Sequence, residues 1–347
     1  MRRKQFTRTL STMTAAVALS AALLTACGSG DSAASDEIVV ASPQCAHCLA
    51  MSLLPDQMPG QKVTYQNFTK LTDLSTGLAS GRISVGQIDY TALVSLASKG
   101  LPIVAISGQV NGGSDFVTSP ALHLAENDWP AFVTAARKAK SEGQPLKIAS
   151  QFGTVQDIEL RLELPAKGID PNTDVEMTNV PYEGMGQALS NGSVDAAIPA
   201  QPFAAEIIDK KFAQHFAYPY DQPAGDLTNV VVVSKTYLTE HPDKVKEIAK
   251  GMSKLVPYLK TTAGQQAWVA AIKKYTNVPD AAISAAMPQL SPDYDMPMSQ
   301  IEAIANAMYA QKLIPESLTA AQLRDHVDYT PLSEATGSSP AELGDNQ

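Results

Sequence analysis

The chain has 347 residues, a formal charge of −9, 44% hydrophobic residues and three cysteines. That length exceeds the usual single domain and predicts two lobes, and an acidic balance with no basic stripe excludes a nucleic-acid partner. Beyond residue 26 no apolar run approaches the length needed to span a bilayer.

Taken in chain order, the sequence opens with Arg2, Arg3, Lys4 and Arg8 and no acidic residue, then an Ala- and Leu-rich stretch from Thr14 to Leu24. A basic head and an apolar core too short for a membrane span predict a secretory signal over residues 1–26. Leu24-Thr25-Ala26-Cys27 resembles a bacterial lipobox, which implies lipidation of Cys27 and cleavage just before it. The alternative is an ordinary secretory signal with an incidental cysteine. Removing four positive and no negative charges takes the remainder from −9 to −13. Residues 27–36 are rich in Gly, Ser and Ala and read as a flexible tether. The expected location is extracytoplasmic, anchored to the cell membrane through Cys27.

From Glu37 onward, β-rich apolar runs alternate with helical patterns, the signature of an α/β fold with mainly parallel sheets. Strands are predicted at Ile38–Val40, Lys62–Phe68, Ile83–Ile88 and Pro102–Ser107, with a loop entering a helix at Gln44–Leu54. Helices are predicted at Thr72–Ser80, closed by Gly81, and at Thr91–Lys99. Gly108, Gly112 and Gly113 then mark a crossover. The pattern resumes with helices at Trp129–Ser141, Val155–Lys167, Gly184–Asn191 and Phe203–Lys211, and strands at Leu146–Ala149, Val175–Val180, Val194–Ile198 and His215–Tyr218. Val230–Val233 reads as a buried strand returning the chain to the first lobe. Helices follow at Pro242–Lys260, Gly264–Lys274, Asp280–Met287 and Ser299–Gln311. The expected division is residues 37–113 for the first part of lobe 1, 114–224 for lobe 2 and 225–330 for the return to lobe 1. Residues 331–347, small and acidic with no apolar period, are expected to be a disordered tail.

The segment Gly77–Gly86 matches Gln187–Ala197 as a helix end, a glycine turn and a buried strand, which suggests two lobes of similar build around a cleft. The turn at Leu78–Arg82, Ala97–Ala105, Ser150–Asp157, Gly168–Pro171 and Ala188–Ala197 with Pro199–Phe203 carry, in order and spacing, a further resemblance. Over about residues 37–312 the chain resembles the periplasmic solute-binding proteins of ABC importers, in the nitrate, sulfonate, taurine and thiamine-pyrimidine group. The resemblance implies a two-lobed periplasmic-binding-protein fold of type II, with an interlobe cleft and two crossover strands, closing over ligand like a hinged trap. The chain departs from the group at Ser84, at Gln201-Pro202 and in the loop Gln44-Cys45-Ala46-His47-Cys48, where the group more often shows Asp, Glu-Pro and His-Ala-Pro.

In open α/β sheets, ligands sit beyond the carboxyl ends of strands, where helix N-termini offer free N–H groups. Loops of that kind nominate Gln44, Cys45 and His47, then Lys70, then Asp89 and Tyr90, then Gly153 and Thr154, then Gln201 and Phe203. Thr154 and Asp89 are each also explained as helix N-caps, and Phe203 as a core residue. Cys45, His47 and Cys48 admit three readings: a local disulfide stiffening a cleft loop, direct ligand contact, or a soft-metal or thiol-redox centre. No Gly-x-Ser-x-Gly elbow, Walker loop or dinucleotide fingerprint is present, so neither an enzyme nor a cofactor is expected. The function expected is a lipid-anchored subunit that captures a small organic solute or oxyanion (a sulfonate, carboxylate or pyrimidine-like molecule) for an ABC permease and its ATPase. The expected form is a monomer. An extracytoplasmic metal or redox protein built on Cys45, His47 and Cys48 is the alternative.

Overall fold

The computed structural model describes residues 37–345. The expected signal, the tether and Cys27 lie outside the described residues. The first lobe is built on β1 (Ile38–Pro43), β2 (Val63–Phe68), α1 (Leu71–Ala79), β3 (Val85–Asp89), α2 (Tyr90–Ser98) and β4 (Ile103–Gly108), followed by a short β5 (Val110–Gly112). The second comprises β6 (Phe116–Thr118), α3 (Trp129–Ser141), β7 (Lys147–Ser150), α4 (Val155–Ala166), β8 (Glu176–Asn179), α5 (Tyr182–Ser190), β9 (Ala196–Ala197), α6 (Phe203–Asp209) and β10 (Gln214–Ala217). The chain then returns through β11 (Asn229–Ser234), α7 (Lys235–Glu240), α8 (Pro242–Leu259), α9 (Thr262–Tyr275), α10 (Asp280–Ala286), β12 (Leu290–Pro292), α11 (Met298–Ala310), α12 (Ala320–Arg324) and α13 (Thr330–Thr336).

Two five-stranded sheets organise these elements, in the orders β2-β1-β3-β11-β4 and β10-β6-β9-β7-β8. In the first, β1 pairs in parallel with β2 and β3, and β11 runs antiparallel between β3 and β4. In the second, β7 pairs in parallel with β8 and β9, and β6 is antiparallel to β9 and β10. A strand buried on both faces needs apolar residues at every position, which explains Val230–Val233. Val230 and Val232 pack on one side of the sheet with Ile88 and Ile301, and Val231 and Val233 on the other with Ile248 and Trp268. The second sheet is covered likewise, Ile148 facing Phe132 and Phe216, and Ala149 facing Met185 and Ile207.

The chain leaves the first sheet through β5 and Gly113 and comes back at Asp226–Asn229. The two crossings are bonded to each other: Gly112 N donates to Asp226 O (2.8 Å), and Thr228 donates its Oγ1 to Gly112 O (3.1 Å) and its backbone N to Asn111 Oδ1 (3.1 Å). Tyr220 grips the same region, its hydroxyl accepting from Ser114 N and donating to Ser114 O.

The expectation of a disordered tail is corrected over residues 331–345. Residues 330–336 form α13, Leu332 and Leu343 are fully buried in the first lobe, and Met296 N and Met298 N donate to Leu343 O and Gly344 O. Two leucines eleven positions apart, one on a two-turn helix and one on a turn, show no periodicity, so composition alone hides them. The strands β5, β6 and β12 also escape the sequence pattern. Each has three residues, and β5 and β12 are strands only by pairing with each other across a long sequence separation. Among the described residues no helix is long and apolar enough to cross a membrane.

Candidate functional site

A cavity of about 510 Å³ lies where the two sheets present their strand ends to each other. The loops after β1, β3, β7 and β9 enter it. So does the start of β11, because an antiparallel strand brings its amino end to the edge where parallel neighbours end; Asn229 sits in register with Asp89. Tyr182 enters from α5, and Met308 and Leu313 close one side from the end of α11.

Of the residues nominated from sequence, Cys45, His47, Asp89, Gly153, Thr154, Gln201 and Phe203 line this cavity, together with Cys48. Gln44, Lys70 and Tyr90 do not. Tyr90 is fully buried in the core beside Leu93 and Ile301, because the first residue of α2 turns inward as Asp89 caps the helix. Lys70 precedes α1 with an extended backbone and an exposed side chain, and Thr69 takes the wall position instead. Gln44 is exposed.

Four helices, α2, α4, α5 and α6, begin at the cavity, and the N-termini of α2 and α4 carry side-chain caps. Asp89 caps α2, its Oδ1 accepting from Ala92 N (2.6 Å) and Thr91 Oγ1 (3.0 Å). Burial raises its pKa against these two bonds. At α4, Thr154 accepts from Asp157 N (3.4 Å) and gives its hydroxyl proton to Gln151 O (2.7 Å). Gly153, at φ +82°, turns its N–H to Asp157 Oδ2 (3.1 Å). Asp157 is buried, and its Oδ1 also accepts from Ser150 Oγ (2.9 Å) and Arg161 Nε (2.9 Å). Ala92 N of α2 thus goes to a carboxylate, Asp157 N of α4 to the Thr154 hydroxyl, and the Gly153 N–H just before α4 to Asp157, so these three donors are taken by the chain itself.

The remaining polar wall is made of carboxamides and hydroxyls. Gln156 accepts from Tyr182 Oη (2.6 Å) and donates to Ser114 Oγ (3.2 Å), tying the cavity to the crossover. Gln201 is buried; its N–H donates to Gly113 O (2.7 Å) and its Oε1 accepts from Ala205 N (3.2 Å). Asn229 is fully buried with neither Oδ1 nor Nδ2 bonded, and Gln87 Oε1 is likewise unbonded. A buried polar group without a partner costs about 1–3 kcal/mol, so these amides favour whatever supplies their partners. Phe203 stacks on Tyr182 with centroids 5.9 Å apart. Among the described residues no Lys or Arg lines the cavity, and Asp89 is its one carboxylate. Gln87, Gln156, Tyr182 and Asn229 were not nominated from sequence. An amide inside an apolar strand run, as in Val85-Gly86-Gln87-Ile88 or Asn229-Val230-Val231, was the available signal.

Cys45 and Cys48 are joined as a disulfide, Cα atoms 4.9 Å apart. His47 between them is buried, and burial lowers its pKa to about 4, so its ring is neutral at pH 7. Its Nδ1 has no hydrogen-bond partner.

The sequence model of the NMT1-like family matches residues 35–273. The chain belongs to the NMT1-like family. A curated relative of this NMT1-like chain is the nitrate/nitrite binding protein NrtA of Synechococcus elongatus, 32% identical over 83 residues. That match spans 24% of the chain and 19% of the relative. Among solved structures, the periplasmic nitrate-binding protein NrtA of Synechocystis superimposes with a TM-score of 0.71 at 12% identity, over 89% of this chain and 91% of its own. The periplasmic aliphatic sulphonate binding protein SsuA of Escherichia coli gives 0.68 at 14% identity, over 84% and 92%. The ligand-binding component of an ABC-type import system from Staphylococcus aureus, solved with zinc bound, gives 0.68 at 16% identity, over 87% and 100%. These likenesses identify the fold as the two-lobed periplasmic-binding-protein architecture, as the sequence resemblance implied.

Proposed function

We propose that this NMT1-like protein is the solute-capturing subunit of an ABC importer, and that its cargo is a small, planar, nitrogen-rich organic molecule of pyrimidine type rather than a free oxyanion. The observation that carries the choice is the lining itself, in which, among the described residues, Asp89 is the one charged side chain. With no Lys or Arg on the wall, nothing fixed there balances the charge of nitrate or a sulfonate. A molecule that both donates and accepts would instead satisfy Asn229 and Gln87, with Tyr182 and Phe203 as a stacking face and the Asp89 carboxylate as an acceptor for a ring or amino N–H. The relatives named for nitrate and sulfonate support the importer role and leave the cargo to the cavity.

Capture works by closure. Ligand touching both lobes stabilises the closed form by its differential affinity, and the bonded crossings at Gly112 and Thr228 are the hinge. The lobe surfaces then meet the permease, and lipid on Cys27 keeps the protein at the membrane.

The test is a thermal-shift panel of nitrate, alkylsulfonates, taurine, aromatic carboxylates and pyrimidines. Binding to the native state alone raises stability by about 2.7 kcal/mol at a hundredfold excess over Kd. A shift with pyrimidines, lost in Asn229→Leu, is expected. A shift with nitrate or a sulfonate while pyrimidines stay silent refutes the cargo assignment.

A further inference from the structure

One cluster on the cavity wall is not explained by capture of an organic solute. A sulfur of each of Cys45 and Cys48 and a ring nitrogen of His47 lie within 4.8 Å of one another. His47 is only 6% exposed, and its Nδ1 has no hydrogen-bond partner. A structural disulfide does not call for a buried, unbonded imidazole at its side, since an unsatisfied buried ring nitrogen is a cost that another side chain would avoid.

We propose that Cys45, His47 and Cys48 form, in the dithiol state, a site for a single soft cation of the Cu(I) type, and that the Cys45–Cys48 disulfide is the closed form of that site. Thiolate sulfur and imidazole nitrogen are the donors that soft first-row cations select. Three donors suit Cu(I), which is stable at low coordination number, whereas a structural zinc site takes four. Opening the site is a two-electron step. A dithiol reductant gives two electrons and two protons to the Cys45–Cys48 bond and leaves as its own disulfide. Cu(I) then displaces one proton from each thiol, and the imidazole contributes a lone pair with no proton change.

The segment is held in place for this. Trp268 Nε1 donates to Ala46 O (2.7 Å), fixing the loop to α9 at the residue between the two first ligands. Leu49 N donates to Cys45 O (3.0 Å), turning Cys48 back toward Cys45. His47 packs against the crossover, where a Cβ added at Gly113 would stand 3.6 Å from Nδ1. The proposal holds whichever solute fills the rest of the cleft.

The test is an anaerobic competition between the purified full chain and a chromogenic Cu(I) chelator, with Cu(I) as the only added metal. The expected result is one equivalent bound by the reduced protein and none by the oxidised protein, which serves as the control with no substitution. In the reduced state His47→Ala should weaken binding at least tenfold, and Cys45→Ser/Cys48→Ser should abolish it. In a Trp129→Phe background, where Trp268 is the remaining tryptophan, the near-ultraviolet tryptophan band in circular dichroism should be the same before and after reduction. Equal uptake by reduced and oxidised protein overturns the proposal, and so does unchanged affinity in His47→Ala. Uptake accompanied by loss of the Trp268 signal also overturns it, because thiols in an unfolded loop capture metal without the imidazole.

Discussion

Asp157→Asn tests whether a carboxylate of the chain organises the α4 end of the cleft. Asp157 and Arg161 are 1% and 9% exposed at their side chains and sit 2.9 Å apart, so the substitution leaves a nearly buried guanidinium without its counter-charge. Removing one partner of a buried pair costs about 3–5 kcal/mol. Arg161 keeps its bond to Gln311 Oε1 (3.2 Å) and its place over the Phe152 ring, and Asn retains one acceptor oxygen, so the lower end, about 3 kcal/mol, is expected. At about 2–4 °C per kcal/mol for a large domain, the melting temperature should fall by roughly 6–12 °C. Urea unfolding followed by tryptophan fluorescence reads both lobes, because Trp129 lies in the second lobe and Trp268 in the first. Adding Arg161→Met should recover at least half of the loss, since an apolar replacement no longer strands a charge. A loss below about 1 kcal/mol, or a double variant that loses the sum of both singles, would refute the claim that this pair anchors the α4 end of the cleft.

Glu159 is buried on α4, and burial holds its carboxyl well above the usual range despite a lowering contribution from Ser114. Above the ordinary value of 4.5 the unfolded chain loses this proton while the native protein keeps it, so stability falls as pH rises from that point. Glu159→Gln should therefore gain stability over the native sequence progressively from pH 5 to pH 8; a gap independent of pH contradicts the assignment. Leu343→Ala should cost about 2–5 kcal/mol in urea unfolding as a cavity in the first lobe, whereas a disordered tail would make it silent. Gly264→Ala drives a Cβ into Tyr258 O, a backbone atom, and should cost at least about 1–3 kcal/mol by calorimetry. Gly184→Ala, 3.2 Å from the flexible Val180 side chain, serves as the mild contrast.

Local pattern carried the sequence reading a long way. Alternation of apolar strands with capped helices determined the α/β class. The four valines at Val230–Val233 determined a strand buried on both faces, and Asp89 and Thr154 marked helix starts at strand ends. Those features follow from backbone periodicity and capping, which act within a few residues and are written in the order of side chains. What the tertiary structure decided was which polar groups face the cleft and whether they are free. Gln87 and Asn229 lie far apart in the chain and reach the same cavity only because β11 runs antiparallel beside β3. Thr154 and Gly153 looked available to an oxyanion until Asp157 and Gln151 were found holding them. Lys70 sits one residue past the wall position that Thr69 occupies, and its charge does not reach the cavity lining. Leu332 and Leu343 order the last residues through contacts with Met296 and its neighbours, which no local window contains. The amides and the leucines share one physical reason: satisfaction of a buried polar or apolar group depends on its partner across the fold, and that partner is fixed by topology, not by sequence distance.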